Sequence, residues 1–182
     1  MKATPLRIRD VLRIEPRAFE DERGVFFESF NARAFVEAVG HAVEFVQDNQ
    51  SVSRLGVVRG LHYQLPPAAQ GKLVRVAAGA VFDVALDIRR SSSSFGQWVG
   101  ETLSADNRRQ LYIPAGFAHG FVALSEDAVV IYKATAFYSP ADERAIRWDD
   151  PGIGIAWPLA GTPLVSAKDM AAPPFQNADT FA

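Results

Sequence analysis

Proline and glycine punctuate this chain along its whole length, 11 of one and 13 of the other in 182 residues, and the apolar segments between them are short. Segments of that length, rich in β-formers, read as strands rather than long helices. Val81 to Ile88 alternates with period two at its polar positions. Trp98–Leu103, Arg109–Pro114, His119–Leu124 and Ala128–Ala134 read likewise, and such segments recur at the spacing of a sandwich or barrel. One helix is expected, from Asn31, which can cap it, to Val39, with Gly40 as its stop and Phe35, Val36 and Val39 on one face. The run Ser91 to Ser94 reads as a surface loop, and the proline-containing tail after Trp157 as irregular structure wrapped on the strands. No repeat and no boundary divides the chain, so residues 1–182 read as one all-β domain.

The chemistry of such a chain is limited by what it lacks. It has no cysteine, three histidines and a net charge of −2. There is therefore no disulfide or thiol chemistry and no electrostatic case for nucleic-acid binding. The first ten residues carry charges where a signal peptide needs an apolar core, and no apolar run approaches a membrane span, so the chain reads as cytoplasmic with no membrane partner. Gly152-Ile153-Gly154 follows a proline and precedes no helix, which is not a dinucleotide fingerprint.

Against that background His62 and Lys72 stand out. They lie in Val57–Gln64 and Gly71–Val76, which read as the two strands of a hairpin. Strand parity puts His62 and Gln64 on one face with Leu61 and Tyr63 on the other, and Lys72 on a face with Val74 and Val76. If that face lines a barrel, both point inward. A histidine base beside a lysine that meets an oxyanion suits proton abstraction next to a carbonyl. The alternatives are a half-buried histidine bonded to backbone and a lysine turned to solvent. Arg59 has the opposite parity and reaches the same pocket only through a bulge at Gly60 or from the strand end. His119 follows the turn Pro114-Ala115-Gly116, at a barrel mouth or just inside, where a neutral imidazole donates to an oxyanion or is merely structural. Tyr132, in a buried strand, is a possible general acid. Metal-binding β-barrels use a His-x-His pair. Here the second position is Gln64, so no metal is expected.

Taken together, the motifs resemble the dTDP-4-dehydrorhamnose 3,5-epimerase family. They are Phe19 to Ser29, Phe45 to Ser51, Arg59-Gly60-Leu61-His62-Tyr63-Gln64, Gln70 to Arg75, Phe95 to Trp98, Ile113 to Phe121 and Ser166-Ala167-Lys168-Asp169, in collinear order. The resemblance implies a cupin-type jelly-roll barrel or sandwich with one or two short helices, used without metal or cofactor, and usually as a homodimer. It implies a dTDP-4-keto-6-deoxy-hexose substrate on a path to L-rhamnose. His62 matches the base, Asp169 the carboxylate that orients it, Tyr132 the acid on the opposite face and Lys72 the cation beside the C4 oxygen. His119 matches a second sugar contact, with Asp83 as a support for His119 or Lys72. Arg23 and Arg59 match diphosphate contacts, and Glu28, Gln47, Asp48 and Asn49 the thymidine-reading segments. Tyr138 matches a stacking ring, and Glu143 and Lys168 further substrate contacts. Arg23 and Glu28 are expected to act across the dimer. The rivals are a single-site 3- or 5-epimerase, a non-catalytic sugar-nucleotide binding barrel and a metal-dependent cupin.

Overall fold

The computed structural model describes residues 1–182. In chain order the strands are β1 (Lys2–Pro5), β2 (Leu12–Glu15), β3 (Ala18–Asp21), β4 (Gly24–Phe27), β5 (Gln47–Ser53), β6 (Val57–Gln64) and β7 (Lys72–Ala78). They continue with β8 (Ala80–Asp87), β9 (Trp98–Ser104), β10 (Gln110–Ile113), β11 (Phe117–Ala123), β12 (Ala128–Ala134), β13 (Glu143–Ala145) and β14 (Leu164–Val165). Helix α1 spans Ala32–Val39 and α2 Ala167–Met170. No helix is long and apolar enough to cross a membrane.

Two sheets face each other. One has the order β1-β2-β10-β7-β12-β5, the other β13-β6-β11-β8-β9, with β14 parallel to β6. The sheets do not close into a barrel, so the jelly roll is a sandwich. The inward residues of both sheets form the main core, among them Val74, Val76, Val81, Leu111, Phe121 and Val130. Outward residues of the second sheet, Leu61, Tyr63 and Leu86, are buried by Ile146, Ile153 and Ala178 of the later chain. The strands are thus apolar on both faces wherever another layer covers them.

Helix α1 forms as expected. Asn31 accepts from the Ala34 N–H at 3.1 Å, and Gly40, at φ 83°, ends the helix by donating to Val36 O at 2.9 Å. Phe35 is fully buried with Ile14, Leu73 and Tyr112 on the outside of the first sheet.

Two expectations are corrected. His62 and Lys72 do not share a hairpin: β6 bonds to β11, β13 and β14, and β7 to β10 and β12, so the strands belong to opposite sheets. The segment 65–71 carries the chain across the sandwich instead of turning it back. The tail is not wholly irregular, because β14 and α2 form within it. Ser166 caps α2 through its Oγ, which accepts from the Asp169 N–H at 3.0 Å.

Candidate functional site

Inward parity on five strands brings the polar residues together at one end of the sandwich, in a cavity of about 300 Å³. His62 enters from β6, Lys72 from β7, His119 from β11, Tyr132 from β12 and Asn49 from β5. Arg59 joins them because the β6–β11 register shifts between His119↔His62 and Phe121↔Arg59. That irregularity is centred on Gly60, which sits at φ 125°. A Cβ there would lie 2.6 Å from Gly120 Cα. Only glycine tolerates both that backbone and that approach, and the result is a change of parity that aims Arg59 and His62 into one cavity.

His62 has 33% of its side chain accessible, while the Asp169 side chain behind it is 5% accessible. His62 Nε2 lies 2.6 Å from Asp169 Oδ1, and Asp169 Oδ2 accepts from the Gly60 N–H at 3.3 Å. Burial pushes the Asp169 pKa up, but the bonds and charge of His62, the Gly60 N–H and Ser166 outweigh it and hold the carboxyl below its usual range. The ionised carboxylate therefore takes the Nε2 hydrogen. With that tautomer assigned from its partner, Nδ1 carries the lone pair of a base.

A second imidazole–carboxylate pair lies beside the first. His119 Nε2 is 2.7 Å from Asp83 Oδ1, Asp83 is fully buried, and its Oδ2 has no hydrogen-bond partner. Burial lowers the His119 pKa against the opposing pull of Asp83, so this ring is neutral at neutral pH.

Lys72 is 8% exposed, and its Nζ has one protein partner, His62 O at 3.5 Å. Burial pushes its pKa down to about 8, against the upward pull of Asp83 and Glu143. An ammonium held by so little protein is free to bond a ligand oxygen. Its Nζ lies 5.7 Å from the centre of the Tyr132 ring. Burial, opposed by Arg59 and assisted by Glu143, raises the Tyr132 pKa, so the phenol keeps its proton at neutral pH.

At the mouth, Tyr138 Oη and Lys168 Nζ both donate to Glu143 Oε2, at 2.9 and 2.6 Å. Gln47 Oε1 accepts from the Tyr138 N–H and its Nε2 donates to Asn49 Oδ1. Arg59 Nε donates to Ser53 Oγ at 3.1 Å.

Three expected contacts are not brought here. Asp48 points from the opposite face of β5 and pairs with Lys133 at 3.0 Å. Arg23, with 85% of its side chain accessible, pairs with Asp21 at the tip of the β3–β4 hairpin, and Glu28 accepts from Asn31. The wall also contains Gln50, Ser51, Gln64 and Gln70, which sequence reasoning did not select as site residues. For Gln64 the signal was present, since it shares His62's parity.

The arrangement suits carbon-acid chemistry. A dyad base from one sheet and a protonated phenol from the other face each other, with a buried cation between them.

Comparison with known proteins agrees with this reading. Residues 5–177 match the family described as dTDP-4-dehydrorhamnose 3,5-epimerase. The dTDP-4-dehydrorhamnose 3,5-epimerase of Pseudomonas aeruginosa is 61% identical over 181 residues, 100% of this chain and 99% of that protein. That of Shigella flexneri is 58% identical over the same shares. Among solved structures, the dTDP-6-deoxy-D-glucose-3,5-epimerase of Legionella pneumophila, in complex with dTDP-4-keto-L-rhamnose, superposes with a TM-score of 0.94 at 49% identity, covering 98% of this chain and 94% of that one. A 3'-monoepimerase from Streptomyces bikiniensis, in complex with dTDP-quinovose, gives 0.90 at 36% identity, with 97% and 88% covered.

Proposed function

This chain belongs to the dTDP-4-dehydrorhamnose 3,5-epimerase family, and on that premise we propose how its residues divide the reaction. The substrate is a dTDP-4-keto-6-deoxy-hexose, and the reaction serves dTDP-L-rhamnose formation in the cytoplasm. The whole chain acts as one domain, with no added cofactor. The protons at C3 and C5 are both α to the C4 ketone. His62 Nδ1 removes each in turn, giving an enolate whose charge develops on O4. Lys72 Nζ meets that charge, and Asp169 holds the imidazole in register and stabilises the imidazolium. Tyr132 gives its phenolic proton to the opposite face, and exchange with water then takes the proton from His62 and restores that of Tyr132 before the second carbon reacts. The observation that carries this reading is the placement of the His62–Asp169 dyad and Tyr132 on opposite sheets, with Lys72 buried beside both.

His119, neutral and backed by Asp83, offers its Nδ1 as an acceptor to a sugar hydroxyl rather than donating to the oxyanion. Arg59 and Lys168 take the diphosphate. Asn49, set by Gln47, faces the nucleoside, and Tyr138 stacks on its base with Glu143 bracing the hydroxyl. Asp48 supports β5 from its outer face.

The deciding experiment is incubation with dTDP-4-keto-6-deoxy-D-glucose in deuterated water, followed by NMR. Deuterium is expected at both C3 and C5. Uptake at one carbon would identify a single-site epimerase, and binding without uptake a non-catalytic module.

We also propose a homodimer with shared sites. Phe19, Val25 and Phe26 are 53%, 47% and 73% exposed on the β3–β4 hairpin. An exposed apolar ribbon that also carries Arg23 fits a partner's pocket. Glu28 follows β4 and moves with it. If so, mixing a His62→Ala variant with an Arg23→Ala variant restores one complete site per mixed dimer. Activity is then expected to recover to about a quarter of the wild-type rate. No recovery after subunit exchange would exclude sharing.

A further inference from the structure

Gln64 stands where a metal-binding barrel would place a second histidine, yet its amide faces protein on every side. It is 3% exposed. Its Nε2 donates to Ala68 O at 2.6 Å and to Phe137 O at 3.1 Å, and its Oε1 accepts from the Ser139 N–H at 2.9 Å. Gln47 Oε1 accepts from the N–H between those two, that of Tyr138, at 2.9 Å. The peptide groups on both sides of Tyr138 are thus gripped by two glutamine side chains from different sheets. Apolar packing contributes little to this grip, since Phe137 and Tyr138 are 69% and 53% exposed. The grip needs donor and acceptor in one uncharged group. A carboxylate would confront two carbonyl oxygens, and an imidazole lacks the geometry for three partners.

We infer that Gln64, assisted by Gln47, is a positioning residue that fixes Tyr138 across the cavity mouth and so sets how tightly the nucleotide end of the substrate is held. This rests on the reading of Tyr138 as a wall of the nucleotide site. Gln64 also braces the turn at Ala68 that leads to Lys72, and an effect through Lys72 would not pass through Tyr138. A double-mutant cycle separates the two routes.

The probe is dTDP, with its affinity measured by calorimetry on wild type, Gln64→Met, Tyr138→Ala and the double variant. Gln64→Met is expected to weaken dTDP binding about tenfold, as Tyr138→Ala does, and the double variant to be no weaker than Tyr138→Ala alone. In steady-state assays the loss is expected in KM, with kcat within a few-fold of wild type. Two independent losses that multiply would overturn the inference, as would wild-type affinity in Gln64→Met. If Tyr138→Ala alone binds normally, both the inference and the role of Tyr138 fall, while the base chemistry stands. If Gln64→Met does not fold, Gln47→Met runs the same cycle in an Asn49→Ala background, which removes the route through Asn49 and leaves only the Tyr138 N–H, under the same criteria. Absence of deuterium uptake by the wild type would sink the epimerase reading without touching the dTDP cycle.

Discussion

His62→Ala is expected to abolish deuterium uptake at both C3 and C5, lowering the rate by at least ~10³, while dTDP affinity stays within a few-fold of wild type. Both imidazoles in the wall commit Nε2 to a carboxylate, but His62 has 33% of its side chain accessible and His119 8%, and burial disfavours the protonated form that His119 would take as a base. Both acidic carbons flank the same ketone, so one base reaches either if the sugar shifts within the pocket. The two exchanges are therefore expected to disappear together. Exchange surviving at one carbon would mean that a second base, with His119 as the nearest candidate, serves that position. The nucleotide contacts lie toward the mouth, on Arg59, Asn49 and Tyr138, which is why binding is expected to persist.

Lys72→Met is expected to lower kcat by 10²–10³ and, at the same time, to raise the protein's stability at neutral pH. Burying this ammonium lowers its pKa from the usual lysine value near 10.5 to about 8, a cost of about 3 kcal/mol at pH 7. The sign follows from proton counting. Between pH 8 and 10.5 the unfolded lysine holds a proton that the folded one has lost, so wild-type stability rises with pH through that window. The stability advantage of Lys72→Met is greatest below pH 8 and shrinks as pH approaches 10.5. Activity shows the opposite trend: kcat/KM of the wild type falls as pH rises through about 8, because the neutral amine no longer answers the charge on O4. Thermal unfolding and kcat/KM across pH 6 to 10.5 check both trends. A variant less stable than wild type at pH 7 would mean that the charge is compensated by more than Asp83 and Glu143.

What the sequence disclosed follows the physics of each element. Alternation reveals the face a side chain takes, and the faces of His62, Gln64 and Lys72 were legible. Alternation does not reveal which strand lies alongside, so the segments around His62 and Lys72 looked like a hairpin while they oppose each other across the sandwich. The parity conflict at Arg59 left two routes, a bulge at Gly60 or the strand end, and the register shift lies at Gly60. Strand β5 gave no signal because its half-buried positions, Gln47, Asn49 and Ser51, are as polar as its exposed ones, Asp48 and Gln50, leaving little apolar alternation to detect. Asp169 was legible only through a motif. It lies 107 residues from His62 on a four-residue helix too short to show a period. The hairpin bearing Arg23 carries apolar residues with no cover within the chain, so their purpose could not be read from burial.

The placement of Asp169 has a consequence for how the enzyme fails. The base is rooted in a central strand bonded on both sides, but its partner rides on a short helix held by a two-residue strand and a serine cap, with the chain anchored again only from Pro173 onward. Segments with so few backbone bonds and so little buried apolar surface open at a free energy well below that of global unfolding. A brief release of residues 164–171, of which only Asp169 is buried, leaves the sandwich intact and deprives His62 of its orientation. Heat or denaturant is thus expected to cost activity before the sandwich unfolds.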